Sequence, residues 1–337
     1  MNNRKIGLTL GKYAPFHRGH QHVIETALEE MDEVIVVIYD CPETIDVPLP
    51  VRANWIRKLY PAVRVIEAWD GPTEVGETPE IKSKQEQYIL RILYGASITH
   101  FYSSEFYGEH MSLALGAVNR LVDPDRQQFP ISGTEVRMAP YQSKTFLHPI
   151  VYRDLVANVV FLGAPSTGKT TLAARMAAEH QTAWMPEYGR EYWEKHQVER
   201  RLSQAQLVEL AEIHLEREEE LSWNANQLLF VDTNAITTYM FSKSYHGEAL
   251  PKLAQLADNA ANRYDLVFVC DDDIPYENTW DRSGAVERKI FQKQIIADLK
   301  CRKIPYFYLT GSLEERVNKV NKVLQKFKKY RSLGEWI

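Results

Sequence analysis

Val159-Val160-Phe161-Leu162-Gly163-Ala164-Pro165-Ser166-Thr167-Gly168-Lys169-Thr170 is the stretch on which the fold turns. A short apolar run rich in β-branched residues ends at a glycine, and Thr171-Leu172-Ala173-Ala174 continues in helix-compatible residues. Strand, glycine-rich turn and helix in that order make a phosphate site, because the amides at a helix start face an anion. The residues from Gly163 through Thr171 supply that cradle. Lys169 reaches the terminal phosphates, and the hydroxyl of Thr170 is placed to hold Mg²⁺.

A second phosphate-handling signature of another kind lies about 145 residues earlier. Ile6 to Leu10 reads as a buried strand and runs into Gly11-Lys12-Tyr13-Ala14-Pro15-Phe16-His17-Arg18-Gly19-His20. His17 and His20, three apart at a helix start, share one face. There they can donate hydrogen bonds to an α-phosphate as charge builds on it. Lys12 adds a cation that does not depend on imidazole protonation. His-x-x-His by itself also fits ordinary core or surface histidines. The later Ile131-Ser132-Gly133-Thr134-Glu135-Val136-Arg137 sharpens the signal. Ser132 is placed to cap a helix whose amides join the hydroxyls of Ser132 and Thr134 on phosphate oxygens. Arg137, a turn further on, suits a bidentate phosphate contact.

Downstream of the P-loop, Trp184 to Trp193 combines carboxylates, an arginine and aromatics, suited to hydroxyls and a flat ring. Glu187, Tyr188 and Arg190 are its candidates for substrate contact; a helix that buries aromatics and exposes charges is the plain alternative. Asp232 follows the strand-like Leu228–Val231. It is placed either to bind Mg²⁺ with Thr170 or to activate an acceptor hydroxyl, a role Glu187 shares as candidate. Asp271-Asp272-Asp273 reads as a polar strand end rather than a metal cage. Arg282 and Arg288 are lid candidates, with surface salt bridging the alternative for Arg288.

The chain has 337 residues, 45% of them hydrophobic and 25% charged, which suits two globular cores. A net charge of −5 argues against nucleic acid as a general partner. The basic run Lys326-Phe327-Lys328-Lys329-Tyr330-Arg331 reads as a solvated helix end. Cys41, Cys270 and Cys301 are widely spaced without metal-ligand spacing, as expected of reduced thiols in the cytoplasm. Neither a signal peptide nor an apolar run of about 18 residues is seen, so no membrane association is expected.

Apolar runs and helical periods alternate throughout, which predicts α/β architecture: two doubly wound parallel-sheet domains, residues 1–150 and 151–337. Residues 140–156, with Pro140 and Pro149, read as the linker. Long helices are expected over 80–94, 202–222 and 313–329, and a surface loop over 71–79.

Residues 11–20 and 131–137 resemble the GxFxPxHxGH and ISxTxxR motifs of the nucleotidylyltransferase superfamily, with Tyr13 in place of the usual Phe. That resemblance implies a Rossmann-like domain acting on Mg-ATP without a covalent intermediate. Within it, GKYAPFHRGH is most similar to the nicotinamide mononucleotide (NMN) adenylyltransferase half of NadR-type proteins. PEYGREY (186–192) and TNAITT (233–238) resemble the ribosylnicotinamide kinase half of the same family, whereas DIPYENTWDRSG (273–284) departs from its DIPW…DGxR form, which weakens a lid role for Arg282. The resemblance implies a bifunctional enzyme whose substrates are nicotinamide riboside, NMN and ATP, with Mg²⁺. A helix-turn-helix, which NadR-type regulators can carry, is not expected before a strand that starts this early. A coenzyme A synthase-like pairing of adenylyltransferase with dephospho-coenzyme A kinase stays open, as do a nucleotide-sensing regulator with weak turnover and homo-oligomerisation.

Overall fold

A computed structural model describes residues 4–72, 74, 76, 78–105, 108–199, 201–275 and 288–332. The chain divides into two compact units. One runs up to Leu155 and takes in Tyr330–Ser332, and the other covers Val156–Lys329.

The first unit is built on five parallel strands: β1 (Ile6–Gly11), β2 (Glu33–Tyr39), β3 (Arg64–Ala68), β4 (His100–Ser103) and β5 (Val118–Leu121). Their spatial order is β3-β2-β1-β4-β5. Five consecutive residues of β2, Val34 to Ile38, are buried, which is what helices on both faces of a parallel strand require. The crossovers are α1 (Arg18–Glu30), α2 (Leu49–Leu59), α3 (Pro79–Ile92) and α4 (Gly108–Leu115), followed by α5 (Gly133–Met138) and α6 (Pro149–Leu155). β1 lies between β2 and β4, where the winding reverses, so the loop leaving β1 opens onto the crevice such sheets use for ligands.

Two differences from expectation have simple causes. Residues 149–155, read as linker, form α6 instead, with Val151 and Tyr152 buried; Pro149 occupies the first turn, where its missing N–H costs nothing. β5 was not expected, because Val118, Asn119, Arg120 and Leu121 are all exposed on a sheet edge and show no alternation.

The second unit repeats the layer plan with β6 (Ala157–Leu162), α7 (Lys169–Glu179), β7 (Trp184–Met185), α8 (Tyr188–His196), α9 (Gln204–Ser222), β8 (Leu228–Asp232), α10 (Ala235–His246), α11 (Pro251–Ala260), β9 (Leu266–Cys270), α12 (Arg288–Cys301), β10 (Phe307–Leu309) and α13 (Leu313–Lys326). The strand order is β10-β9-β6-β8-β7, again all parallel. Its core stacks Phe161 between Phe230 and Phe268, at 6.0 and 5.7 Å between ring centroids. Ser203 starts α9 and Ser312 starts α13, each in a reciprocal capping box, with Gln206 and Glu315 respectively. α13 ends at Lys326, three residues before the expected end. Beyond it Lys329 lies 3.6 Å from Asp265, and in the first unit Arg331 lies 2.9 Å from Asp46, so these two charges of the basic run have acid partners.

Two candidate nucleotide sites

The loop after β1 carries the histidines of the first unit. His17 caps α1, and its backbone N–H donates to Nδ1 of His20 at 3.3 Å. The two rings stack with centroids 3.7 Å apart, and Gly19 makes room for them: a Cβ there would stand 3.1 Å from His17 Cε1. Burial lowers His17 to about 4, with the positive charge of Arg126 adding to the effect and Glu135 opposing it. His20 is held well below its ordinary value by burial, then by His17 and Arg126. Both are therefore neutral near pH 7. The His20 ring accepts from His17 through Nδ1 and bonds the Pro15 backbone, so in this conformation its one N–H is engaged, and His17 is the imidazole with an N–H to offer a phosphate oxygen.

The second part of this site arrives 123 residues later in the chain. Ser132 caps α5, accepting from the Glu135 amide at 3.2 Å, as the spacing predicts. Arg137 donates to the carbonyl of Ala14 at 2.5 Å and to the hydroxyl of Thr134 at 2.9 Å. A Cβ on Gly133 would come within 3.2 Å of that same carbonyl, so α5 lies directly against the β1–α1 loop. The two motifs thus form one surface, with part of the Arg137 fork used to join them.

Lys12 turns to the β2–α2 loop, 2.7 Å from Glu43 and 3.1 Å from Thr44. Its backbone is held by Arg52, a fully buried side chain that donates to the carbonyls of Lys12, Tyr39 and Val47. Sequence reasoning missed both Arg52 and Arg126. Arg52 looks like any helix charge until its burial is known. Arg126 sits in a turn whose amides, from Gln127 to Phe129, donate to the Asp123 carboxylate, and only tertiary structure brings its charge to the histidines.

In the second unit the P-loop leaves β6. Gly163 has φ +142°, and a Cβ there would stand 2.6 Å from the Cys270 carbonyl at the end of β9, so only glycine fits. Gly168, at φ +79°, starts α7. Lys169 is buried and donates to the Ala164 carbonyl at 2.9 Å; Thr167 donates to the same oxygen. Distant residues hold the loop's shape. Gln292 accepts from the Ala164 amide and donates to Cys270, Arg316 donates to the Thr167 carbonyl at 2.6 Å, and Arg288 to the Ser166 carbonyl at 2.9 Å. Gln292 and Arg316 carry no local motif and could not be found from sequence.

Register places Asp232 opposite Phe161, just before the loop, where Thr170 reaches it. Burial pushes Asp232 up to about 7, with Glu187 adding to the effect and Lys169 and the Thr170 hydroxyl opposing it. Its Oδ1 is buried and has no hydrogen-bond partner among the described residues. A carboxylate oxygen in that state beside a threonine hydroxyl is a hard oxygen set suited to Mg²⁺.

A cavity of about 480 Å³ opens beside the loop. Pro165 to Thr171 form one side; Glu187, at the start of α8, and Arg190 line it too, together with Trp193, Thr233 and Asn234. One expectation ends elsewhere. Tyr188 is not in the cavity wall: it is buried with the Arg217 guanidinium 3.8 Å from its ring centroid. Arg282 lies outside the described residues. Asp271 accepts from Tyr308, while Asp273 pairs with Arg316 and accepts from the Gly311 amide, so these members of the acidic triplet serve loop structure. Among the described residues no cluster of three or more histidine, cysteine or acidic side chains could hold a metal, and no helix is long and apolar enough to cross a membrane.

Two family models match the chain, a cytidylyltransferase-like one over residues 8–139 and an AAA domain over residues 158–316. The trifunctional NAD biosynthesis/regulator protein NadR of Salmonella typhimurium (strain LT2) is 28% identical over 333 residues, covering 91% of this chain and 79% of that protein. A NadR crystal structure in complex with NAD and AMP-PNP superposes with a TM-score of 0.57 at 22% identity, covering 96% of each chain. A NadR structure in complex with NR gives 0.58 at 21% identity, with the same coverage.

Proposed function

We propose that this chain, a homologue of NadR along nine-tenths of its length, is a bifunctional enzyme of NAD salvage that works in the cytoplasm. Its second unit phosphorylates nicotinamide riboside with ATP to NMN. Its first unit then joins NMN to the AMP part of a second ATP, releasing pyrophosphate. The observation that carries this reading is the presence of two separate phosphate-binding turns, each at a strand-to-helix junction of its own parallel sheet, in a chain that matches NadR across both.

In the kinase unit, Lys169 and the loop amides hold the phosphates and stabilise charge on the transferring group. Thr170 and Asp232 are the residues that would hold Mg²⁺, which supplies charge neutralisation on the β- and γ-oxygens when bound. Glu187, in the cavity wall, takes the proton of the attacking 5′-hydroxyl; Asp232, fully buried and bonded to Thr170, is the cation-side carboxylate. In the adenylyltransferase unit, neutral His17 donates to the α-phosphate, His20 does so on exchanging its Pro15 bond for the phosphate oxygen, and Arg126, Lys12 and the free part of the Arg137 fork supply positive charge. Incubating the protein with nicotinamide riboside and Mg-ATP should yield NMN and NAD together by mass spectrometry. Turnover of dephospho-coenzyme A in place of the riboside would overturn the reading in favour of a coenzyme A enzyme, and no product from either would leave the sensor.

A further inference from the structure

Two polar side chains of the kinase cavity have no part in the chemistry above. His214, on α9, lines the cavity and is 6% exposed. Its ring bonds the backbone of Thr233 in the sense that favours a proton on the ring, as donation to a carbonyl does, while Nε2 has no partner among the described residues. Thr237, in the first turn of α10, lines the same cavity at 5% exposed, and its Oγ1 is likewise without a partner. Leu207, Leu210, Ala211 and Phe241 line the same cavity.

Buried polar atoms in folded proteins almost always find a partner, and two that do not, in one cavity wall, point to what the cavity holds. Burial, then the charges of Arg263 and Arg217, lowers His214 to about 4, so the ring is neutral near pH 7. A neutral imidazole that donates through one nitrogen presents only a lone pair at the other. Nε2 therefore asks for a donor and repels a carboxylate.

We infer that His214 and Thr237 form the subsite that selects the phosphoryl acceptor, His214 Nε2 accepting a hydrogen bond from a neutral donor of the nucleoside, a sugar hydroxyl or an amide N–H. The inference rests on reading the second unit as a nucleoside kinase. It predicts that a nucleoside with a carboxylate in place of the amide, or without the bonded hydroxyl, is disfavoured, because a buried acceptor is then left unpaired.

The test is steady-state phosphoryl transfer from Mg-ATP by the full chain, comparing wild type with His214→Phe, His214→Gln and Thr237→Val. His214→Phe should raise KM for nicotinamide riboside roughly 10- to 100-fold, with KM for ATP within about twofold. His214→Gln, whose amide oxygen again accepts, should recover most of that loss, and Thr237→Val should raise the riboside KM about threefold to tenfold. The 2′-deoxy and 3′-deoxy ribosides and nicotinic acid riboside then locate the donor. The analogue lacking it should be penalised by wild type and no longer by His214→Phe. Unchanged riboside KM in both His214→Phe and Thr237→Val overturns the inference, as does discrimination that His214→Phe leaves intact for every analogue. Should His214→Phe misfold, Thr237→Val and the wild-type analogue series decide. A wild type inert toward the riboside sinks the kinase reading itself, an outcome distinct from an active wild type with indifferent variants.

Discussion

The hydroxyl of Thr170, in the first turn of α7, donates a 2.5 Å hydrogen bond to Oδ2 of Asp232, the last residue of β8. The two are 62 residues apart in sequence. They meet because β6 and β8 are neighbours and because Phe161, near the end of β6, pairs with Asp232. This bond joins the loop that opens α7 to a buried carboxylate at the end of β8.

Asp232→Asn tests that placement. The buried carboxylate has an unpartnered oxygen and faces the charge of Glu187, so it is unfavourable for folding when ionised. The substitution should lower riboside phosphorylation at least about 100-fold while thermal stability at pH 8 stays level or rises. A clear drop in melting temperature with kinase activity retained would show a structural role instead.

The two reactions should separate by mutation. Lys169→Ala should cut riboside phosphorylation by about 100- to 1,000-fold and spare adenylyl transfer to supplied NMN. His20→Ala should do the opposite. A single change that removes both activities from folded protein would defeat the two-site assignment.

Stability should carry the mark of His17. Its folded value of about 4 lies below the unfolded value near 6.5, so between those limits the unfolded chain binds more protons. The stabilisation is complete above about pH 6.5 and is lost as pH falls toward 4, by roughly 3 kcal/mol. Urea titrations across that window should show a shallower slope for His17→Asn than for wild type. Equal slopes would mean the ring is not buried uncharged.

Gly163→Ala places a methyl group 2.6 Å from the Cys270 carbonyl at φ +142°. The Thr167 hydroxyl, 2.9 Å away, could turn aside, but the Cys270 carbonyl is backbone and cannot yield. The cost should be roughly 2–4 kcal/mol, read as a lower melting transition with loss of kinase activity and retention of adenylyl transfer.

Much of this was readable in the chain. The apolar run Val34–Ile38 announces a doubly covered parallel strand, and the Gly-x₄-Gly-Lys-Thr spacing announces the turn after β6. Ser132 announces its own helix, because capping is a matter of three residues. Arg52, Gln292 and Arg316 announce nothing, since a polar residue on a helix becomes a clamp only when burial brings a distant carbonyl or amide to it. Tyr188 shows the same limit. Its neighbours Glu187 and Arg190 reach the cavity, while its ring turns to Arg217.

The sequence by itself determined the two α/β units and the two strand-to-helix turns, because strand periodicity, glycine geometry and helix capping act over a few residues; the reactions followed only from the resemblance of those turns to known motifs. Tertiary structure alone decided the charge states and the partners. The histidines are neutral because the fold buries them, Arg137 joins motifs 123 residues apart, and the carboxylates divide into Glu187 in the wall and Asp232 behind Thr170. Desolvation and long-range packing set those properties, and neither is encoded in any short stretch of chain.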